Sequence, residues 1–142
     1  MLQLLESPRE QVRLLRSRRI LVVAKTLQMA WNLALRLEQN GYVAILVPFR
    51  KITSVEQIEP PPEAVVLTSE LTTENMSTVY RYLRRSGRFQ WVPVIAIAPS
   101  GQGKVDFPVE LLIHGSSSTD DVLNSVERLL HAWETEQGPG AA

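Results

Sequence analysis

Few side chains in this sequence could do chemistry, and those few follow separate apolar runs. Lys25 follows the first run, Thr68 and Glu70 follow a later one, and His114 ends the last. A catalytic site needs a nucleophile, a base and a group that orients the base, and these four residues do not assemble into that set. A hard divalent cation needs several oxygen ligands, and only Glu70 among them carries a carboxylate. The residues therefore predict no enzymatic activity, no metal and no cofactor.

Each of these side chains also has a simpler interpretation. A single glutamate near the surface is usually solvated, and a histidine at a strand end is usually an ordinary, partly exposed side chain. The run from Gly115 to Ser118 could hold an anion at a helix N-terminus, but a loop that ends in a serine cap explains it more simply. The sequence has no cysteine, which excludes disulfides, thiolate metal sites and cysteine nucleophiles.

Length and charge indicate one domain with no general attraction to polyanions. The 142 residues are 44% hydrophobic, which is enough for one sizeable core. Fifteen Lys and Arg residues balance fifteen Asp and Glu residues, so nucleic acid is not an expected partner, and solvated helix faces explain two arginine-rich stretches. No apolar run approaches the ~20 residues that a membrane span requires. The N-terminus also lacks the features of a secretory signal, and we expect a cytoplasmic protein without membrane contact.

Short apolar runs alternate with helical patterns along the chain, which predicts a parallel sheet covered by helices. The five predicted strands are residues 20–23, 43–47, 64–67, 92–98 and 111–113. The predicted helices start at Thr26, Ser54, Thr73 and Ser118 or Thr119. In the first of these helices the residues expected to face the core are Leu27, Ala30, Trp31, Ala34, Leu35 and Leu37, which recur at helical spacing.

A basic segment precedes the first strand. Ser7 followed by Pro8 has the form of a helix start, which predicts a short helix to about residue 17. Leu5, Val12 and Leu15 would expose apolar surface there unless the domain or a second copy of the chain covers them. Docking on the same chain and a homodimer through this segment both remain open. We divide the chain into an N-terminal helical extension at 1–18, a domain at 19–136 and a flexible tail at 137–142.

Five phrases in the sequence match one known family in the right order. They are RILVV at 19–23, LEQNGY at 37–42, PEAVVL at 62–67, VPVIAI at 92–97 and DVLNSVERLL at 121–130. In this phrasing and order the chain resembles the receiver domain of two-component response regulators, over about residues 19–134. The resemblance implies an α/β fold with a doubly wound, five-stranded parallel sheet of flavodoxin-like topology.

The resemblance also shows where the phosphorylation site of a receiver would lie. A receiver has an acidic pair after its first strand, a phosphoacceptor Asp ending the third, a Thr or Ser ending the fourth and a Lys ending the fifth. These positions hold Ala24 and Lys25, Thr68, Ala98 and Gly115 in this sequence. Three carboxylates of a receiver hold Mg²⁺ against the phosphoryl charge, and none is present here. The departures imply a degenerate pseudo-receiver that is not phosphorylated.

The parts that report phosphorylation differ too. The position of the reporting aromatic on the fifth strand holds Leu112, and a Gly- and Pro-containing loop between Pro99 and Glu110 replaces the fourth helix, which is shortened or absent. We therefore expect a module that signals through protein contacts, with Leu5, Val12, Leu15 and Leu112 as candidate contact residues. The alternative is a sensor that binds a small molecule in the vacated cleft at the strand carboxyl ends, beside Glu70 and His114.

Overall fold

The computed structural model describes residues 18–98, 105, 107–113 and 118–137. The predicted N-terminal helix with Leu5, Val12 and Leu15, and the tail from residue 138, lie outside the described residues. So do His114 and Gly115.

A five-stranded, wholly parallel sheet forms the centre of the domain. The strands are β1 (Arg19–Ala24), β2 (Val43–Pro48), β3 (Ala64–Leu67), β4 (Val94–Ile97) and β5 (Leu111–Ile113). Their spatial order is β2-β1-β3-β4-β5, and every pairing is parallel. This confirms the predicted doubly wound, flavodoxin-like fold. All four residues of β3 are buried, as expected for an apolar strand that is covered on both faces.

Helical segments cover both faces of the sheet. On one face lie α1 (Trp31–Gln39) and α3 (Thr119–Gln137), which pack on Ile20 and Val22 of β1. On the other face lie α2 (Thr73–Arg85) and a 3₁₀ segment, Phe49–Gln57, which pack on Leu21 and Val23. The alternation of β1 side chains between the two faces gives the sheet two apolar cores.

Side-chain caps fix the starts of two helices. The amide of Asn75 donates to Oγ1 of Thr72 at 3.0 Å, which caps α2. Before α3, the amide of Asp121 donates to Oγ of Ser118 at 3.1 Å and the amide of Ser118 donates to Oδ2 of Asp121 at 3.3 Å. This reciprocal pair is a capping box, and it confirms Ser118 as the cap.

The prediction for the inward face of α1 was wrong in part. Leu27, Trp31 and Leu35 are 47%, 55% and 43% exposed. The residues that do face the core are Ala30, Leu33, Ala34 and Leu37. Both sets recur at helical spacing, and the buried set is the one that packs against β1 and α3. Arg36 of α1 also pairs with Asp120 of α3, with Nε donating to Oδ1 at 2.9 Å, and both of these side chains are exposed.

The connection between β4 and β5 contains no helix among its described residues, 98, 105 and 107–110. Phe107 lies against Tyr80 of α2, with ring centroids 5.1 Å apart. Arg84 of α2 donates from Nη2 to both carboxylate oxygens of Glu110, at 2.9 and 3.0 Å. Carboxylate oxygen Oε1 of Glu110 also accepts from the amide of Val94 at 2.6 Å. The end of this loop is thus fastened to α2 and β4.

Candidate functional site

Three neighbouring strands end in small or neutral residues at the carboxyl edge of the sheet. Ala24 ends β1, Thr68 follows β3 and Ala98 follows β4. Because β1, β3 and β4 are adjacent in the sheet, these positions lie side by side, as the sequence predicted. They are only 1%, 4% and 2% exposed. Backbone and methyl groups therefore fill this part of the edge.

The Thr68 hydroxyl is engaged with the backbone. Its Oγ1 donates to the carbonyl oxygen of Val23 at 3.3 Å, and the amide of Thr68 donates to the same oxygen at 3.1 Å. The carbonyl of Thr68 accepts from the amide of Leu71 at 3.1 Å. These bonds satisfy a buried polar side chain without a charge, and they tie the end of β3 to the end of β1.

A cavity of about 180 Å³ opens beside Thr68 at this edge. It lies between the start of α1, the loop after β3 and the start of α3. The polar residues that line it are Asn32, Thr68, Ser69, Glu70 and Thr119. The apolar residues that line it are Met29, Ala30, Leu33, Ile97 and Val122. The cavity is half polar by residue count, and Glu70 is the charged member of its lining.

Glu70 does not have the fully solvated carboxylate that the sequence predicted. Its Oε2 atom is buried and has no hydrogen-bond partner in the described part of the chain. No described Lys or Arg forms an ion pair with it. A buried carboxylate oxygen without a donor is costly, so this atom is the strongest acceptor that the cavity offers.

Only some of the residues that the sequence placed at the cleft line the cavity. Thr68 and Glu70 line the cavity together, whereas Lys25 is exposed and is not part of the lining. Asn32 and Thr119, which sequence reasoning missed, line it because α1 and α3 both begin at this edge. Their place at the starts of helices that follow β1 and β5 could have suggested this role.

The described residues contain no group of three His, Cys, Asp or Glu side chains that could hold a metal ion.

Elsewhere in the domain, burial shifts the pKa values of Tyr42, Glu63 and Tyr82. Burial raises the pKa of Tyr42, and Glu127 raises it further. Burial also raises the pKa of Glu63, which Arg18 opposes from 3.6 Å. The pKa of Tyr82 is raised by burial and by Glu56.

The second candidate site is the apolar surface formed by Leu27, Trp31 and Leu35, which we call the α1 face. The three residues are four positions apart, so they follow one another along one side of the helical backbone. All three are among the exposed large apolar residues of the described chain. Scattered single apolar residues need no explanation, but adjacent ones often mark contact sites.

The α1 face lies toward the edge strand β2. Glu38 stands three residues after Leu35 and so shares its side of the helix. From there its Oε2 accepts from the amide of Ala44 in β2 at 2.7 Å. That amide points away from β1, because the neighbouring amide of Val43 donates to the carbonyl oxygen of Arg18 at 2.7 Å. A side chain thus occupies one outward-facing amide of the edge strand, and strand addition at that residue would have to displace it.

Solved structures with the same architecture include receiver domains and a sensor protein. The receiver domain of a signal transduction histidine kinase from Syntrophus aciditrophicus superposes with a TM-score of 0.68 at 20% identity, covering 82% of this chain and 92% of that one. A sensor protein from Polaromonas sp. JS666 gives 0.66 at 20% identity, covering 81% and 97%. The receiver domain of a sensor histidine kinase from Pseudomonas aeruginosa PAO1, with a magnesium ion coordinated in its active-site cleft, gives 0.67 at 17%, covering 81% and 98%.

The chain has the receiver fold. No protein-family model matches its sequence, and no curated protein matches it either. Within the described residues, none of the helices of this receiver fold combines the length and apolar character needed to cross a bilayer.

Substitutions at Thr68 test whether this edge accepts a charge. We expect Thr68→Asp to lower the free energy of unfolding by about 2–4 kcal/mol, because no cation lines the cavity to pair with a buried carboxylate. Thr68→Val keeps the shape and should cost only about 1 kcal/mol for the lost hydrogen bond. Urea unfolding of the three proteins measures both values. An Asp variant as stable as the Val variant would contradict this view of the edge.

Proposed function

We propose that this chain is a phosphorylation-independent signalling module of the receiver fold, which acts by protein contact in two-component or phosphorelay regulation. The observation that carries the proposal is the state of the edge at Thr68. In the position of a phosphoacceptor stands a neutral side chain, 4% exposed, whose hydroxyl is hydrogen-bonded to the Val23 carbonyl. An alcohol needs a general base to become a nucleophile, and its proton is directed at the backbone.

The residues around Thr68 support the same conclusion. Ala24 is buried and Lys25 is exposed where a receiver would hold its acidic pair. A Mg²⁺ ion would meet no carboxylate at these three positions, and the exposed Lys25 offers it no oxygen ligand. Without the metal, the charge of a transferred phosphoryl group would stay uncompensated.

The contact surface proposed for a protein partner is the α1 face. Trp31 is its centre, and tryptophan is enriched among the residues that dominate binding energy at interfaces. Leu112 on the edge strand β5 is 36% exposed and remains a second candidate contact residue on another part of the surface. A contact through either surface would read the fixed shape of the domain and would need no phosphoryl switch.

The first experiment tests independence from phosphorylation. Amide chemical shifts are recorded while Mg²⁺ and beryllofluoride, a phosphoryl mimic, are added. We expect no saturable change at Lys25 or Thr68, because neither the metal nor the mimic has ligands there. A response regulator with an intact acidic site, recorded in the same buffers, serves as the positive control. Saturable shifts at both residues would overturn the proposal.

A second experiment tests the α1 face as the contact surface. The full chain, Trp31→Asp and Trp91→Asp are used as baits in parallel captures from native lysate. Trp91 is a matched control because it is even more exposed, at 77%, but lies in the turn before β4. We expect a partner that is retained by the full chain and by Trp91→Asp and is lost by at least tenfold with Trp31→Asp. Equal retention by both variants would exclude this face.

The cavity supports a second candidate function, the sensing of a small molecule. The observation that favours it is the buried Oε2 of Glu70, which has no donor in the described chain. A volume of about 180 Å³ has room for a few heavy atoms beside Thr68, Ser69 and Thr119. The ligand expected from this lining is a small molecule with at least one strong hydrogen-bond donor, such as an alkylammonium ion.

Titration with ethanolammonium chloride, followed by amide shifts of Ser69 and Thr119, tests this second function. We expect saturable shifts for the full chain and at least tenfold weaker binding for Glu70→Gln, because a charge-assisted hydrogen bond is lost. Glu74→Gln in the first turn of α2 is the matched control and should bind as the unmodified chain does. Sodium chloride at equal ionic strength excludes a salt effect. Shifts that persist in Glu70→Gln, or that never saturate, would remove the sensing role.

A further inference from the structure

The α1 face is a small apolar surface. The N-terminal segment, which carries Val12 and Leu15, belongs to the same chain and could cover it. The exposed parts of Leu27, Trp31 and Leu35 together amount to roughly 300 Å². A standard interface between separate proteins takes about 800 Å² from each partner. A tethered occupant needs less area, because its local concentration is on the order of millimolar without any loss of translational freedom.

The N-terminal segment joins the domain beside this face. Arg18 precedes β1, and its carbonyl oxygen accepts from the amide of Val43 at the start of the edge strand β2. Glu38, on the same side of α1 as the face, reaches the next residue of β2, Ala44. The seventeen residues before Arg18 therefore join the domain within a short distance of Leu35. Leu35 is the member of the face nearest the C-terminus of α1.

The sequence of this segment suits a helix that covers the face. Between Pro8 and Ser17 a helix would be about 15 Å long, and the face from Leu27 to Leu35 is about 12 Å long. Val12 and Leu15 lie three residues apart, so they share one side of such a helix. Leu15 would then lie nearest Leu35. Arg9 and Arg16, which neighbour Val12 on the helix surface, would extend from the border of the contact into water.

We propose that the N-terminal segment docks on the α1 face through a helix at residues 8–17 and covers Trp31. A helix fits better than a strand, because Glu38 already caps the open amide of Ala44 in β2. This inference rests on the proposed function, since the covered surface is the one assigned to partner binding. Docking would make the segment a competitor of the partner.

The test measures solvent exposure of the Trp31 indole in full-length proteins. Leu15→Asp is compared with Leu14→Asp, which makes the same chemical change on another side of the predicted helix. The indole N–H signal of Trp31 is identified from its loss in Trp31→Phe, and its relaxation by a soluble gadolinium chelate reports access to water. The Trp91 indole, 77% exposed in the described chain, is the internal reference.

We expect the Trp31 indole to relax less than half as fast as that of Trp91 in the unmodified chain. Leu15→Asp should raise its relaxation at least twofold, while Leu14→Asp should leave it within a fifth of the original rate. Equal relaxation in all three proteins would overturn docking. If the molecular mass of the unmodified chain doubles with concentration and Leu15→Asp stays monomeric, a second copy of the chain covers the face. That result would overturn docking within one chain. Neither result depends on a partner. If docking is overturned, the capture experiment with Trp31→Asp still decides the proposed function separately.

Discussion

Coverage of the sheet on both faces is the constraint on which the other features of this domain depend. Helices lie above and below β1, β3 and β4, so the interior of these strands must be apolar along its whole length. Polar groups can appear only where strands end. Thr68 is the one polar residue among the buried residues of the described chain, and it stands at such an end, where the Val23 carbonyl accepts a hydrogen bond from its hydroxyl. A neutral hydroxyl meets that constraint with a backbone partner, whereas a carboxylate there would need a cation.

The same constraint explains how much of the fold could be predicted. Strands that are buried on both faces are continuous apolar runs in the sequence, so β3 and β5 were predicted with their observed bounds. The bounds of α2 were also correct, because a polar cap precedes a single apolar stripe. The face of α1 could not be predicted in the same way. Its sequence carries two apolar stripes, and the one that is buried packs against β1 and against the distant helix α3.

The candidate site was predictable only where the backbone defines it. Strand ends located Thr68 and its neighbours, and the parallel order then brought them together. The surroundings of Glu70 could not be read from the sequence, because the cavity that it lines is also lined by Met29 and Thr119 at the starts of α1 and α3. Local sequence around Glu70 is that of an ordinary polar turn, and it does not indicate that Oε2 is buried without a hydrogen-bond partner in the described chain.

The cavity and the α1 face meet at one short element. The 3₁₀ turn Gln28–Ala30 leads into α1, with Met29 and Ala30 lining the cavity and Leu27 and Trp31 flanking the turn on the exposed face. The amides of Met29 and Ala30 hold the turn by donating to Oγ1 of Thr26 at 3.4 Å and to the carbonyl oxygen of Leu27 at 3.2 Å. The amide of Trp31 adds a bond to the carbonyl oxygen of Gln28. Any molecule that occupied the cavity would touch the residues on which Leu27 and Trp31 depend for their position. The cavity at the carboxyl edge of the sheet and the α1 face are therefore neighbouring surfaces of the receiver fold, and this turn joins them.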